Sequence, residues 1–446
     1  MRTWLLALAS ALAAAGCVAP GGFRCTASAQ CANAGDDARC EPDDLTRPAG
    51  ADNGGFCGYA DASCDSGRRF VELAGGQGDA CLPCAGTWQR CCGAAARCDA
   101  DLTCAGEACT CLAEVKAAMS RACARKEDGT VWCWGSTPYA MLLGGTDLSS
   151  PVPRPIAGLE GVVELALGTF HSCARKRDGT VWCWGVNAAG ETGGPAIDQP
   201  LPAPVAGLAS VAQIAAGGYS CARKQDGSVW CWGGDNVGQL GGAPMSGAMS
   251  APVQVPAVSP ALDLSVGVYH ACAVRQDHSL WCWGYNAYGA LGDGTTTQPA
   301  GPVQVGGLTD VRQVVAGADR TCARNGDGAV WCWGRGAAGV PDSGVPALVA
   351  GLPKATWIGL YDSTSCAQTE GGIWCWNPGS SAARVPMELA LGQVTLARSF
   401  ACGIAIDGFV WCWGTADDTG QFGDGVMTVN PKNDFLPPRR AALTCP

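Results

Sequence analysis

The sequence predicts an all-β chain: a seven-bladed β-propeller preceded by small disulfide-rich modules. Three observations carry this expectation. A Trp-Cys-Trp motif recurs seven times at intervals suited to propeller blades. Glycine supplies 64 of 446 residues, about twice the usual 7%, while 48% of residues are hydrophobic, a balance too apolar for disorder and too turn-rich for helices. Cysteine contributes 29 residues beside only 3 histidines, a load unsuited to a reducing cytosol. The formal charge of −10, with no basic block to offset it, opposes a nucleic-acid or anionic-membrane partner.

In chain order, residues 1–17 read as an export signal. Met1-Arg2-Thr3 is a short positive start, and Trp4 to Ala15 is an apolar stretch too short to span a bilayer, which needs about 20 residues. It ends in Ala14-Ala15-Gly16-Cys17, which resembles the bacterial lipoprotein cleavage site, where the cysteine becomes the lipidated first residue. That pattern has leucine three residues before the cysteine, and here the place holds Ala14, so ordinary cleavage near Gly16 stays open. The expectation is an exported chain lipidated at Cys17, at the outer membrane or cell surface, with a periplasmic or secreted product as the alternative. Membrane contact would then run through the lipid alone.

Residues 18–82 and 83–113 read as two small cysteine-rich modules. Six cysteines fall in 23–82 and seven in 83–111. Segments this short cannot bury enough apolar area to fold unaided, so disulfides must staple them, and six cysteines allow fifteen pairings. Cys81-x2-Cys84 and Cys109-x-Cys111 have a spacing open to zinc. With no histidine nearby and an oxidising compartment, they read as disulfide cysteines, and no metal is expected. The spacing bears a weak resemblance to knottin-like extracellular modules. Asp36-Asp37 and Asp43-Asp44 lack calcium-loop spacing and read as solvated loop charges.

Residues 114–446 repeat. Trp-Cys-Trp-Gly begins at Trp132, Trp182, Trp230, Trp281, Trp331 and Trp411, and Trp-Cys-Trp-Asn at Trp374. Each copy has a partner cysteine upstream, giving Cys123/Cys133, Cys173/Cys183, Cys221/Cys231, Cys272/Cys282, Cys322/Cys332, Cys366/Cys375 and Cys402/Cys412. Turns such as Arg177-Asp178-Gly179 centre a three-residue hairpin loop between them, whose third residue must adopt the left-handed conformation; glycine fits, and in the fourth copy His278 takes the place. Counting out from the turn puts each cysteine pair face to face in a non-hydrogen-bonded position, within reach of a disulfide. The sixth copy is one residue shorter, and a two-residue Glu370-Gly371 loop restores the same pairing.

The segment Asn286-Ala287-Tyr288-Gly289-Ala290-Leu291-Gly292-Asp293-Gly294 recurs in part at Asn236–Gly241 and Gly420–Gly425, followed by a Pro-Val strand, Gly-Leu, and an apolar run such as Val311–Gly317. Together these residues resemble the regulator of chromosome condensation repeat, a seven-bladed propeller family. The paired hairpin cysteines depart from that family and suit a secreted version. The resemblance could imply guanine-nucleotide exchange on a small GTPase and chromatin binding. The export signal, the cysteine load, the acidic chain and repeat intervals with little room for a wedge insertion all oppose it.

Nor does the repeat suggest an enzyme. Aspartates recur at the hairpins because turns favour them, so they are not a catalytic dyad. His171 and His270 occupy a repeat position that elsewhere holds Arg121, Tyr219, Arg320, Thr364 and Phe400, and read as hydrogen-bonding within a blade. The fourteen repeat tryptophans read as inter-blade core. No nucleophile elbow, phosphate loop or zinc helix occurs, so no catalytic residue and no cofactor are expected. The function expected is a non-catalytic binding module that recognises an extracellular or envelope protein or glycan through rim loops. A secreted enzyme inhibitor of the same architecture is the alternative. Last, cysteine parity predicts that Cys445 pairs with Cys109 or Cys111, locking a ring whose ends share strands in one blade.

Overall fold

The computed structural model describes residues 112–136, 149–241, 247–336, 342–361, 364–377, 380–385, 389–406, 408–415, 417–428 and 436–443, with short strands before them. The chain divides into two compact units, Met1–Thr110 and Cys111–Pro446. In the first, Cys17–Ala19 pairs with Phe23–Cys25, Arg39–Cys40, Cys57–Ala60 and Arg68–Phe70 form one sheet, and Thr103–Ala105 pairs with Ala108–Thr110. The export signal, the Cys17 side chain, the cysteine pairing of residues 18–111, and Cys445 lie outside the described residues.

The second unit is a ring of seven four-stranded antiparallel sheets. Blade 1 comprises Leu112–Ala118, Arg121–Lys126, Val131–Ser136 and Ser149–Pro155, beginning two residues before the boundary read from sequence. Blade 7 comprises Leu391–Leu396, Phe400–Ala405, Val410–Gly414 and Leu436–Arg440. The first strand of every blade lines a central channel of about 660 Å³. Each sheet is built from one continuous stretch of chain, so the expected sharing of a blade by the two ends does not occur.

Closure is achieved instead by contacts of the kind that join neighbouring blades elsewhere in the ring. The second tryptophan of the motif is buried, and in blades 3, 4 and 5 it donates its indole N–H to a loop carbonyl of the preceding blade: Trp232 to Glu191 at 2.9 Å, Trp283 to Gln239 at 2.7 Å and Trp333 to Ala290 at 2.8 Å. Trp134 of blade 1 finds its acceptor, the Gln421 carbonyl, in blade 7 at 2.9 Å. The first tryptophan of the motif is half-buried, and Trp182, Trp230, Trp281, Trp331 and Trp411 pack against the apolar clusters that join their blades to the preceding ones, as expected for inter-blade core. The reason lies in strand alternation: flanking one cysteine, both tryptophans share the sheet face that meets the preceding blade, and the second sits deeper.

A second set of contacts circles the channel. The first strand of a blade is a sheet edge with unpaired N–H groups, a liability that must be covered. Glu114 accepts the Leu165 N–H at 2.9 Å, Asp263 the Val314 N–H at 3.2 Å and Gln313 the Ile358 N–H at 3.0 Å, each reaching one blade onward. Gln393 of blade 7 accepts the Val115 N–H of blade 1 at 2.8 Å, with Thr395 accepting that of Ala117 at 3.0 Å, so the belt passes through the ring junction. In blade 6 the same position holds Trp357, whose indole lies over Gly359; a Cβ there would come within 2.1 Å of the ring.

Each hairpin forms as its turn residues dictate. In blade 2 the Gly179 N–H donates to the Lys176 carbonyl at 2.9 Å, and Gly179 has φ +80°. His278 has φ +60° at the equivalent place. All seven hairpins carry a disulfide: Cys123–Cys133, Cys173–Cys183, Cys221–Cys231, Cys272–Cys282, Cys322–Cys332, Cys366–Cys375 and Cys402–Cys412, with Cα atoms 4.0–4.1 Å apart. In blade 6 Thr369 opposes Gly372 across the shortened loop and Cys366 still opposes Cys375.

Candidate functional site

Antiparallel strands send the second-to-third hairpins to one face of the ring and the first-to-second turns, with the third-to-fourth loops, to the other. The hairpin face is uniform over four consecutive blades. In blades 1 to 4, Asp128, Asp178, Asp226 and Asp277 each accept the N–H and hydroxyl of the Thr or Ser two residues on. That hydroxyl accepts the indole N–H of the half-buried tryptophan, and a Lys or Arg lies over its ring, at 4.0 Å for Lys176 on Trp182. The Asp178 carboxyl is held below its usual range first by the Thr180 hydroxyl. These aspartates are turn locks, not a catalytic pair.

The loop face has a constant backbone and inconstant side chains. In five of the six Trp-Cys-Trp-Gly copies the next residue donates its N–H to the carbonyl of the residue three before the upstream cysteine: Ser136 to Ser120, Val186 to Phe170, Tyr285 to Tyr269, Arg335 to Asp319 and Thr415 to Ser399, at 2.7–3.1 Å. The same scaffold bond therefore displays serine, an apolar pair, two tyrosines, an ion pair or threonine. Blade 3 has a first turn one residue shorter, because Ala216 pairs with Ser220 where Leu167 pairs with Ser172, and it places Gly218 and Gly234 here. Its floor is therefore lower than its flanks, which carry Phe170 and Ile197 on blade 2 and Tyr269 on blade 4, all exposed.

The loops that present these residues are pinned by a buried Asn or Asp that the sequence reading did not single out. Asn187, Asp235, Asn286 and Asp417 each accept the backbone N–H five residues later, at 2.8–3.1 Å. An Asn or Asp five residues before Thr192, Leu240, Leu291 or Phe422, repeated in four copies, was the available signal.

Both repeat histidines bond between blades and not within one. His171 of blade 2 meets Ser220 of blade 3 at 2.7 Å, and His270 of blade 4 meets Thr321 of blade 5 at 2.7 Å. The position lies at the blade's flank, facing the next sheet. Burial drives the pKa of His171 down to about 3, helped by the charge of Arg121, and that of His270 to about 4, so both are neutral near pH 7. Arg121 fills the position in blade 1 and spends its buried guanidinium on the carbonyls of Gly168 and His171 in blade 2, each at 2.7 Å. Among the described residues there is no cluster of His, Cys, Asp or Glu that could hold a metal, and no helix is long and apolar enough to cross a membrane.

Seven four-stranded blades around a channel define a seven-bladed β-propeller. Part of the ring matches the regulator of chromosome condensation (RCC1) repeat: one model of that repeat matches residues 226–274 and 277–324, and another matches 162–191, 262–290 and 311–339. The match over 226–274 spans the last two strands of one blade and the first two of the next. Among solved structures, yeast RCC1 (Prp20) with Kap60 bound is 19% identical, with a TM-score of 0.61 over 71% of this chain and 84% of that one. Prp20p of Saccharomyces cerevisiae, whose description concerns its binding to Gsp1p and histones, is 20% identical, also with a TM-score of 0.61, over 71% of this chain and 87% of that one. At such identity the likeness establishes the fold. No curated protein matches the chain.

Proposed function

We propose that this protein is an exported, lipid-anchored and non-catalytic propeller that binds a protein or glycan through its loop face. The observation that carries the reading is the contrast between a backbone bond that recurs in five blades and the varied side chains it displays, since a recognition surface needs variation on a rigid support. Export is supported by seven disulfides in the ring, which suit an oxidising compartment, and by the Ala14-Ala15-Gly16-Cys17 sequence. The absence of catalysis is supported by the histidines, which are buried, neutral and committed to hydroxyl partners. The inhibitor variant of this reading draws support from the locked aromatic ring contacts on blade 4, because a preorganised surface loses little entropy on binding.

Affinity capture from envelope extracts tests the reading, using the full chain, a Phe170→Ser/Tyr269→Ser/Tyr285→Ser variant and a Lys176→Ala/Trp182→Ala variant. The expected result is a partner lost only with the loop-face substitutions; loss only with the hairpin-face pair would overturn it. Intact-mass measurement of membrane fractions tests the anchor: lipid is expected on Cys17, and a Cys17→Ser protein that still carries lipid refutes it.

A further inference from the structure

We infer that the loop face of blades 4 and 5 takes a partner protein through a loop that joins one acidic side chain to an apolar one. The inference rests on the binding-module reading and narrows it. Tyr269 and Tyr285 meet edge to face, with centroids 5.9 Å apart and planes at 64°, and Tyr285 meets Tyr288 at 6.3 Å and 71°. The guanidinium of Arg335, from blade 5, lies 4.8 Å from the Tyr288 centroid. Nearly half of the Tyr269 surface is open to solvent, at 47%. The four residues form a continuous strip from the channel-side turn of one blade to the loop of the next.

The strip is fixed before any partner arrives. Tyr285 donates to the Tyr269 carbonyl at 2.9 Å, and Arg335 to that of Asp319 at 2.9 Å. The Tyr288 loop is held by Asn286, which accepts the Leu291 N–H and donates to the Thr297 carbonyl at 3.0 Å. Rigid aromatic and arginine side chains are what protein–protein hot spots use, because large contact area is gained with little ordering.

Geometry separates this occupant from two others. A quaternary ammonium needs space between ring faces, and these rings already touch, with Arg335 over Tyr288. A glycan strip needs rings sharing a plane, and interplanar angles of 64° and 71° deny one. A protein loop needs only a ridge of ring edges and faces to pack upon. The acidic residue follows from Arg335. Its side chain is 61% exposed and its carboxylate contact is a single Nη1 to Asp319 Oδ2 approach at 3.4 Å, leaving most of a five-donor fork to meet a partner carboxylate. One local acid is expected, not an acidic domain, because the chain's net charge of −10 repels a polyanion.

The test pans a phage library of disulfide-cyclised heptapeptides against the full chain, then titrates the selected peptides. Peptides joining Asp or Glu to an aromatic or Leu residue are expected, with affinity falling at least tenfold in Tyr285→Ala and in Arg335→Gln while the melting temperature shifts only slightly. Selection of basic peptides, or of peptides that bind both variants normally and are lost with Phe170→Ser/Ile197→Ser, overturns this inference and leaves the loop-face reading standing. Peptides lost only with Lys176→Ala/Trp182→Ala, or no enrichment at all, count against both.

Discussion

The two faces of the propeller use the same strands to opposite ends. On the hairpin face of blades 1 to 4, an Asp, a Thr or Ser, a Trp and a basic residue repeat with the same bonds. On the loop face the backbone bond repeats and the side chains do not, from Ser120 and Ser136 to Tyr269 and Tyr285. The hairpin must close tightly to oppose its cysteines, so its chemistry is dictated by folding. The loop face is relieved of that duty by buried Asn187, Asp235, Asn286 and Asp417, which shape the loops from beneath. Folding demands and displayed chemistry are thus kept on different atoms.

The largest effect expected from breaking this division comes where the loop face meets the channel. Gly168, Gly217, Gly267 and Gly317 end the first strands of blades 2 to 5, and the N–H groups of Thr169, Gly218 and Val268 donate to the next blade's glycine carbonyl at 2.8–3.0 Å. A Cβ on Gly267 would lie 1.9 Å from the Gly317 carbonyl oxygen, and one on Gly217 the same distance from that of Gly267. Neither backbone can yield without parting two blades. Gly267→Ala should cost about 3 kcal/mol or more, seen as a large fall in denaturation midpoint. A midpoint within the error of wild type would show that the collar is not needed to hold the blades.

Next in size are the staples. A hairpin disulfide closes a short loop, worth about 3 kcal/mol at most if it acts through the unfolded chain. Because Cys221–Cys231 links strands of one blade, and inter-blade contacts run through Trp283, Glu164 and Asp263, its removal should leave the ring closed. A Cys221→Ala/Cys231→Ala protein should therefore melt earlier with its near-ultraviolet tryptophan signal intact below the transition. Complete unfolding at 25 °C would refute this.

How much of this was open to sequence reasoning depends on whether the cause was local. The hairpins were legible because loop length, a left-handed third residue and facing cysteines are set within eleven residues, and His278 and the shortened Glu370-Gly371 loop follow the same rule. The belt and the collar were not, because each joins residues about fifty positions apart: Glu114 to Leu165, Gln313 to Ile358, Gly217 to Gly267. The histidines were assigned to their own blade for the same reason. Their partners, Ser220 and Thr321, stand 49 and 51 residues away. On the loop face, Tyr269 and Arg335 were visible as residues, but their meeting through Tyr285 and Tyr288 depends on how two blades turn.

The buried histidines give a third effect, nil near neutral pH and growing with acidity. Their folded pKa values, about 3 for His171 and about 4 for His270, lie below that of a free imidazole near 6.5. Between those limits the unfolded chain binds protons that the folded chain refuses, so stability is full above about pH 6.5 and falls as pH drops. Each histidine should contribute about 1.4 kcal/mol per pH unit through that window. Glu164 and Asp263, raised by burial, act with the opposite sign and offset part of the slope at its acid end. A His171→Gln/His270→Gln protein should begin less stable near pH 7 and show a flatter decline toward about pH 5. An undiminished slope would place the titration elsewhere.

The smallest effects make the sharpest comparison, because they set one face directly against the other in single substitutions. Asp178→Ala removes two hydrogen bonds to Thr180, and with them the orientation of the hydroxyl that receives Trp182. The site is exposed, so each bond competes with water and the combined loss should be small but measurable. Tyr285→Ala on the other face leaves its backbone bond to Tyr269 in place and removes a half-buried ring whose contacts are with Tyr269 and Tyr288 alone among aromatic partners. Edge-to-face contacts at this exposure should contribute at most about 1 kcal/mol, and part of that is returned as side-chain freedom. Stability should therefore respond to Asp178→Ala at least as much as to Tyr285→Ala, although tyrosine is far the larger side chain. Binding should respond to Tyr285→Ala alone. Parallel melting curves and peptide titrations on the two proteins decide it: a Tyr285→Ala chain that loses more stability than Asp178→Ala, with peptide affinity retained, would make the tyrosine strip part of the scaffold and erase the distinction between the faces.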